Sequence, residues 1–134
     1  MILLVDSNEL LLETMQDYLA SLGHECIATR DAVEAAEILA GEANINLLVC
    51  EQILSHHSGI ELIQQAAQSR PAMKNILISS RDNVDVLPAD IHFLAKPFSF
   101  DSLGILVTLF IPPVNQVMIP DANRLDRNAR LNLA

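Results

Sequence analysis

A chain of 134 residues is enough for one domain with an ordinary core. Half of it is hydrophobic (51%), which excludes wholesale disorder. Its net charge of −9 and pI near 4.6 exclude a binder of phosphate backbones, which needs a basic stripe, and a protein that docks on an anionic membrane.

The charge is unevenly spread. Residues 1–110 carry 15 acids against 5 bases, and residues 111–134 carry 2 against 3, so the acidic body and the tail differ in kind. The start, MILLVDSNE, has no basic region ahead of its apolar run and meets an acid at Asp6, so it does not read as a signal peptide. No apolar run reaches membrane-spanning length. Cys26 and Cys50 both lie in apolar runs without CxxC spacing. They read as two reduced core thiols, and the expected compartment is the cytoplasm.

ILLV (2–5) predicts a buried strand. In NELLLETMQDYLASLG (8–23), Leu11, Met15, Tyr18, Leu19 and Leu22 recur at helical spacing, and Gly23 is a stop signal. ECIAT (25–29) predicts a second strand. Asp31 can cap a helix over 32–41 that carries Val33, Ala36, Ile38 and Leu39 and closes at Gly41. INLLVC (45–50) predicts the third strand, and Ser58 can cap a helix over 59–69. NILIS (75–79) and IHFLA (91–95) are the fourth and fifth strands, and FDSLGILVTLF (100–110) is the last helix. Between them, RDNVDVLPADIH holds Asp82, Asn83, Asp85, Pro88 and Asp90, poor helix material, so a loop or truncated turn is expected there. Strands alternating with helices predict βαβ units in a parallel sheet with helices on both faces. No Walker or G-x-G-x-x-G loop is present.

Open sheets of this kind carry their sites at the carboxyl ends of the strands. Those ends are Asp6-Ser7, Glu51, Ser79-Ser80 and Lys96-Pro97, so two acids, hydroxyls and an ammonium converge on one edge. His56 and His57 follow Glu51. They read as solvated loop residues rather than a metal site, because neighbouring residues rarely point at one ion and no third ligand is evident.

The stretches ILLVDSNELLLE, LLVCEQILSHHSGIELI, ILISS and FLAKPF each fall at a strand end and in one order. Together they resemble the receiver domains of bacterial two-component response regulators over about residues 1–110. The resemblance implies a flavodoxin-like (βα)5 fold with five parallel strands in the order 2-1-3-4-5. It also implies phosphoryl transfer from a histidine kinase to an aspartate at the end of the third strand. Two acids after the first strand would help hold Mg²⁺, a hydroxyl after the fourth would touch the phosphoryl group, and a lysine before a cis proline would neutralise it. An aromatic residue on the fifth strand would turn with phosphorylation.

Residue by residue, Asp6 matches the first acid, Ser79 the hydroxyl, Phe93 the aromatic, and Lys96 with Pro97 the lysine–proline pair. Ser7 stands at the second acid, and counting back from Gly59 puts Glu51 at the phosphoacceptor aspartate. Mg²⁺ favours carboxylates in octahedral geometry, so no metal, or Mg²⁺ bound weakly at best, is expected. Glu51 is one methylene longer than aspartate and is expected to pair with Lys96. It reads either as a built-in acidic substitute or as a tolerated relic.

The helix over 100–110 has almost no polar side. With Leu103, Val107 and Phe110 against the sheet, Ile105, Leu106 and Leu109 face outward. Either the tail covers them or they form a dimer or partner surface. The tail, 111–134, opens with Pro112-Pro113 and can hold a short helix from Pro120-Asp121, which is too little for an output domain.

The expected protein is a stand-alone, atypical receiver. It is not an enzyme, and it signals through a protein partner, a histidine kinase or another signalling protein, without normal phosphorylation. One alternative is a conventional receiver that is still phosphorylated with weak Mg²⁺ dependence. Another is a small hydrolase using Glu51, Asp6 and Ser79, which lacks a base–nucleophile–orienter set.

Overall fold

Residues 1–80 and 90–111 are described by the structure, a computed structural model. The expected loop over 81–89 and the expected short helix after Pro120 fall outside these residues. Strand β1 (Ile2–Val5) is buried along its whole length, as a strand covered by helices on both faces must be. It pairs in parallel with β2 (Cys26–Thr29) on one side and β3 (Leu47–Glu51) on the other. β3 pairs with β6 (Lys74–Ser79), and β6 with β7 (Ile91–Ala95). The order β2-β1-β3-β6-β7 is the expected 2-1-3-4-5 once the five sheet strands are counted in sequence. This is the flavodoxin-like arrangement of receiver domains.

The helices divide between the two faces by side-chain alternation. Leu3, Val5, Leu48, Cys50 and Leu77 point to one side, where α2 (Ala32–Ala40) and α3 (Gly59–Ser69) cover them with Ala35, Leu39, Leu62 and Ile63. Ile2, Leu4, Leu47, Val49, Ile76 and Ile78 point to the other, under α1 (Glu9–Ser21) and α4 (Phe100–Phe110). Each helix begins on a side-chain cap. Asn8 accepts from the Leu11 amide, Asp31 from Val33, Ser58 from Glu61 and Ser99 from Ser102. The turn after α1 needs a positive φ, which Gly23 supplies at 96°. α2 ends differently. Arg70, at the end of α3, donates to the carbonyls of Leu39 (2.7 Å) and Gly41 (3.0 Å) and so ties the two helices together.

Three features depart from the sequence expectation. β3 begins at Leu47 rather than 45 and includes Glu51 as its last residue. A two-stranded antiparallel hairpin, β4 (Ile53–Leu54) with β5 (His57–Ser58), stands where a loop was expected. On α1, Leu12 is buried and Leu22 is exposed, so the inward stripe is Leu12, Met15 and Leu19.

Candidate functional site

The strand ends place the site. β1 stops at Val5, beside Cys50 of β3, so Asp6 and Ser7 emerge next to Glu51. Glu51 sits beside Ile78 and Ser79 beside Ala95, which brings the start of the β7–α4 connection to the same edge. Lys96 is anchored there by its own amide, which donates to the Ser79 carbonyl at 2.8 Å. The Lys96–Pro97 peptide is cis. Ser79 is buried, Phe93 is partly exposed on β7, and His56 and His57 are exposed on the hairpin.

Three ionised groups meet at the edge. Lys96 Nζ lies 3.2 Å from Glu51 Oε2 and 3.1 Å from Asp6 Oδ2. The Glu51 contact is a hydrogen bond, while the Asp6 contact is an ion pair without hydrogen-bond alignment. Glu51 Oε1 accepts twice from one residue, from the Ser7 amide at 2.9 Å and from the Ser7 hydroxyl at 2.8 Å. Asp6 Oδ1 accepts from the Asn8 amide at 2.8 Å. The side chains of Lys96, Glu51 and Asp6 are 20%, 18% and 0% exposed, so water reaches the first two but not the third.

The titration behaviour follows from these contacts. Burial works against the Glu51 carboxylate, but the Ser7 amide, the Ser7 hydroxyl and Lys96 outweigh it and hold Glu51 below its ordinary value. Asp6 goes the other way. Burial raises it, the Asn8 amide and Lys96 lower it, and the charge of Glu51 adds to the rise. Burial also works against the Lys96 ammonium, but Asp6 and Glu51 outweigh it and hold Lys96 above its ordinary value. A raised lysine contributes stability that is fully present below its unfolded value and is lost as pH rises through its folded one. The wild type should therefore melt above Lys96→Met by a constant margin at neutral pH, and the margin should close as alkaline pH neutralises Lys96. Thermal melts across that range measure it; a margin independent of pH would mean the ammonium charge plays no part.

Both cysteines are free; Cys26 lies at the far end of β2, while Cys50 is buried directly before Glu51 and faces the α2–α3 side of the sheet. Burial raises both thiols, Cys26 to about 11 and Cys50 further, so neither is a reactive thiolate near neutral pH.

A family model described as the response regulator receiver domain matches residues 2–108. The chain belongs to that family. Among solved structures, the receiver domain is similar to the signal receiver domain of an HD domain-containing protein from Pseudomonas fluorescens Pf-5. Identity there is 26% and TM-score 0.74, covering 82% of this chain and 92% of that one. It is also similar to a response regulator receiver protein from Sinorhizobium medicae WSM419, at 25% identity and TM-score 0.73 over 81% and 89% of the two chains. A third is a receiver domain protein from Methanospirillum hungatei JF-1, at 25% and 0.75 over 81% and 90%. A search of curated proteins finds no significant match. The protein is thus a receiver domain of a response regulator, a signalling module.

A receiver's divalent cation needs several oxygen acceptors facing one point. In this receiver domain, each of the four carboxylate oxygens of Asp6 and Glu51 faces an N–H, an O–H or the Lys96 ammonium. Among the described residues, no group of three His, Cys, Asp or Glu is placed to hold a metal. The Asp6–Lys96 contact and the Ser7 hydroxyl bond were not foreseen from sequence. A serine replacing an acid opposite a lengthened acid was the available signal.

Proposed function

We propose that this receiver domain is an atypical one, a pseudo-receiver that signals through protein–protein contacts without normal aspartyl phosphorylation. The observation that carries the reading is the Glu51 carboxylate. It spans from Ser7 to Lys96 and fills the space between them with a fixed negative charge. On this reading Glu51 is a built-in acidic substitute rather than a relic, Asp6 and Ser7 complete its pocket, and Mg²⁺ binds weakly at best. Ser79, Phe93, Lys96 and Pro97 keep the places of the switch residues without a phosphoryl group to move them. The reading has no place for hydrolysis by Glu51, because both of its carboxylate oxygens are committed to internal donors.

Beryllofluoride, which imitates a phosphoryl group on an acceptor aspartate, tests the reading. Added with Mg²⁺, it should leave the amide NMR spectrum around Ser79 and Phe93 unchanged. Shifts like those of an activated receiver would favour the conventional, phosphorylated alternative instead.

For its contacts, the domain offers α4. Ile105 and Leu109, one turn apart, are 65% and 74% exposed, whereas Leu106 is half-buried against the core and does not face outward as expected. With Tyr18, Leu22 and Gly104 they line a groove between α1 and α4. We assign this face to a second copy of the chain, since exposed apolar residues at i and i+4 can pack against their own symmetry mates. No helix among the described residues is long and apolar enough to cross a membrane, so a bilayer-spanning role does not compete for this face. Leu109→Glu should reduce the apparent size on a calibrated column while leaving the circular dichroism unchanged. A wild type that already runs as a monomer would remove the homodimer.

A further inference from the structure

Resting on the reading above, we infer that the Ser7 hydroxyl is the group that excludes divalent cations from this site, by donating a hydrogen bond to the Glu51 oxygen that would otherwise face the ion.

Access does not keep a cation out. Ser7 is exposed and Glu51 is partly open to water. Nor does net charge: Asp6, Glu51 and Lys96 sum to one negative charge, in a chain of net charge −9. What differs from a cation site is the direction of the hydrogens. Glu51 Oε1 receives two of them, at 2.9 and 2.8 Å, both from Ser7. The amide bond persists whatever side chain stands at position 7. Among the described residues, the hydroxyl bond is the only donation to the two carboxylates that a single side-chain change can turn into an acceptor while sparing the Lys96 ammonium. An acid at position 7 would place a third carboxylate beside Asp6 and Glu51, and their mutual repulsion would then be relieved by a dication. The lengthened acid and the shortened neutral partner are therefore one compensated change. The hydroxyl lets Glu51 stay ionised and held in place without metal.

Calorimetric titration of the full chain with Mg²⁺ alone tests this, using wild type, Ser7→Thr, Ser7→Asp, and Ser7→Asp combined with Glu51→Gln. Wild type and Ser7→Thr, which keeps the hydroxyl, should bind equally weakly. Ser7→Asp should bind at least about tenfold tighter, within the range that changes around a metal site produce, and Mg²⁺ should raise its melting temperature. If three carboxylates prevent Ser7→Asp from folding without metal, the double variant restores the original charge count and should still bind tighter than wild type, by less than Ser7→Asp, because an acceptor has replaced the hydroxyl donor but only two carboxylates face the ion. Folded acidic variants that bind Mg²⁺ no tighter than wild type would overturn the inference and leave the proposed function standing. A gain in Ser7→Thr equal to that in Ser7→Asp would overturn it too. Wild type binding as tightly as Ser7→Asp would overturn both.

Discussion

Replacing Lys96 with methionine destabilises the wild-type chain more than it destabilises a Glu51→Gln chain. In the wild type the ammonium stands 3.1 and 3.2 Å from two carboxylates, and removing it leaves both facing each other with no counter-charge. In Glu51→Gln only Asp6 is stranded. A fully buried pair that loses one partner costs about 3–5 kcal/mol. Lys96 and Glu51 are each about a fifth exposed, so solvent screens part of this. A loss on the order of 2 kcal/mol in the wild type is expected. The coupling between the two positions should be about 1 kcal/mol. The four chains of the double-mutant cycle, melted side by side, measure it. Equal losses in the two backgrounds would mean that Lys96 and Glu51 do not support each other.

Gly59→Ala should be at least as damaging. The backbone of Gly59 lies directly under the end of β3, and its amide donates to the Gln52 carbonyl at 2.8 Å. An added Cβ would overlap the Glu51 carbonyl oxygen and lie 2.9 Å from the carbonyl carbon and 3.1 Å from the Gln52 Cα. These are backbone atoms at the end of β3, held to β6 through Glu51 beside Ile78 and through the Gln52 amide on the Ile78 carbonyl at 2.7 Å, so they cannot swing aside as a side chain would. Overpacking of this kind typically costs about 1–3 kcal/mol, and a backbone overlap belongs at or above the top of that range. Whatever relief the chain finds must move Glu51, so the coupling between Lys96 and Glu51 should fall in the Gly59→Ala background. Urea unfolding of the single variant and a repeat of the cycle within it would show both effects. A variant as stable as the wild type would mean the approach of α3 to β3 is looser than the structure has it.

Much of the fold was legible because the strands are continuous apolar runs and two of the helices between them open on the readable caps Asp31 and Ser58; the caps Asn8 and Ser99 are added by the structure. The site's membership was legible for the same reason: once five strands are parallel, Asp6, Glu51, Ser79 and Lys96 must end on one edge. What a sequence does not carry is the direction of a proton. Ser7 reads as a weak oxygen ligand, but its hydroxyl points at Glu51 and makes it a donor. The same limit hid the second partner of Lys96, since type and order do not say which of two acids an ammonium meets. The β4–β5 hairpin escaped notice because two-residue strands leave no periodicity to read. Placing Leu103, Val107 and Phe110 against the sheet turns Leu106 outward with Ile105 and Leu109, but an almost wholly apolar helix leaves its exact phase open. The phase of α4 is set by what packs beneath it: Leu103, Gly104 and Val107 go in, so Leu106 lies on the shoulder.

In the function proposed here, a fixed Glu51 charge, held by Lys96 and Ser7, stands where other receivers carry a transferable phosphoryl group. Intact-protein mass measurement after incubation with acetyl phosphate and Mg²⁺ tests it most directly, with a Ser7→Asp, Glu51→Asp chain beside the wild type. The wild type should carry no phosphoryl adduct and the double variant a labile one. A wild type that takes up a phosphoryl group, lost on Glu51→Gln, would contradict it.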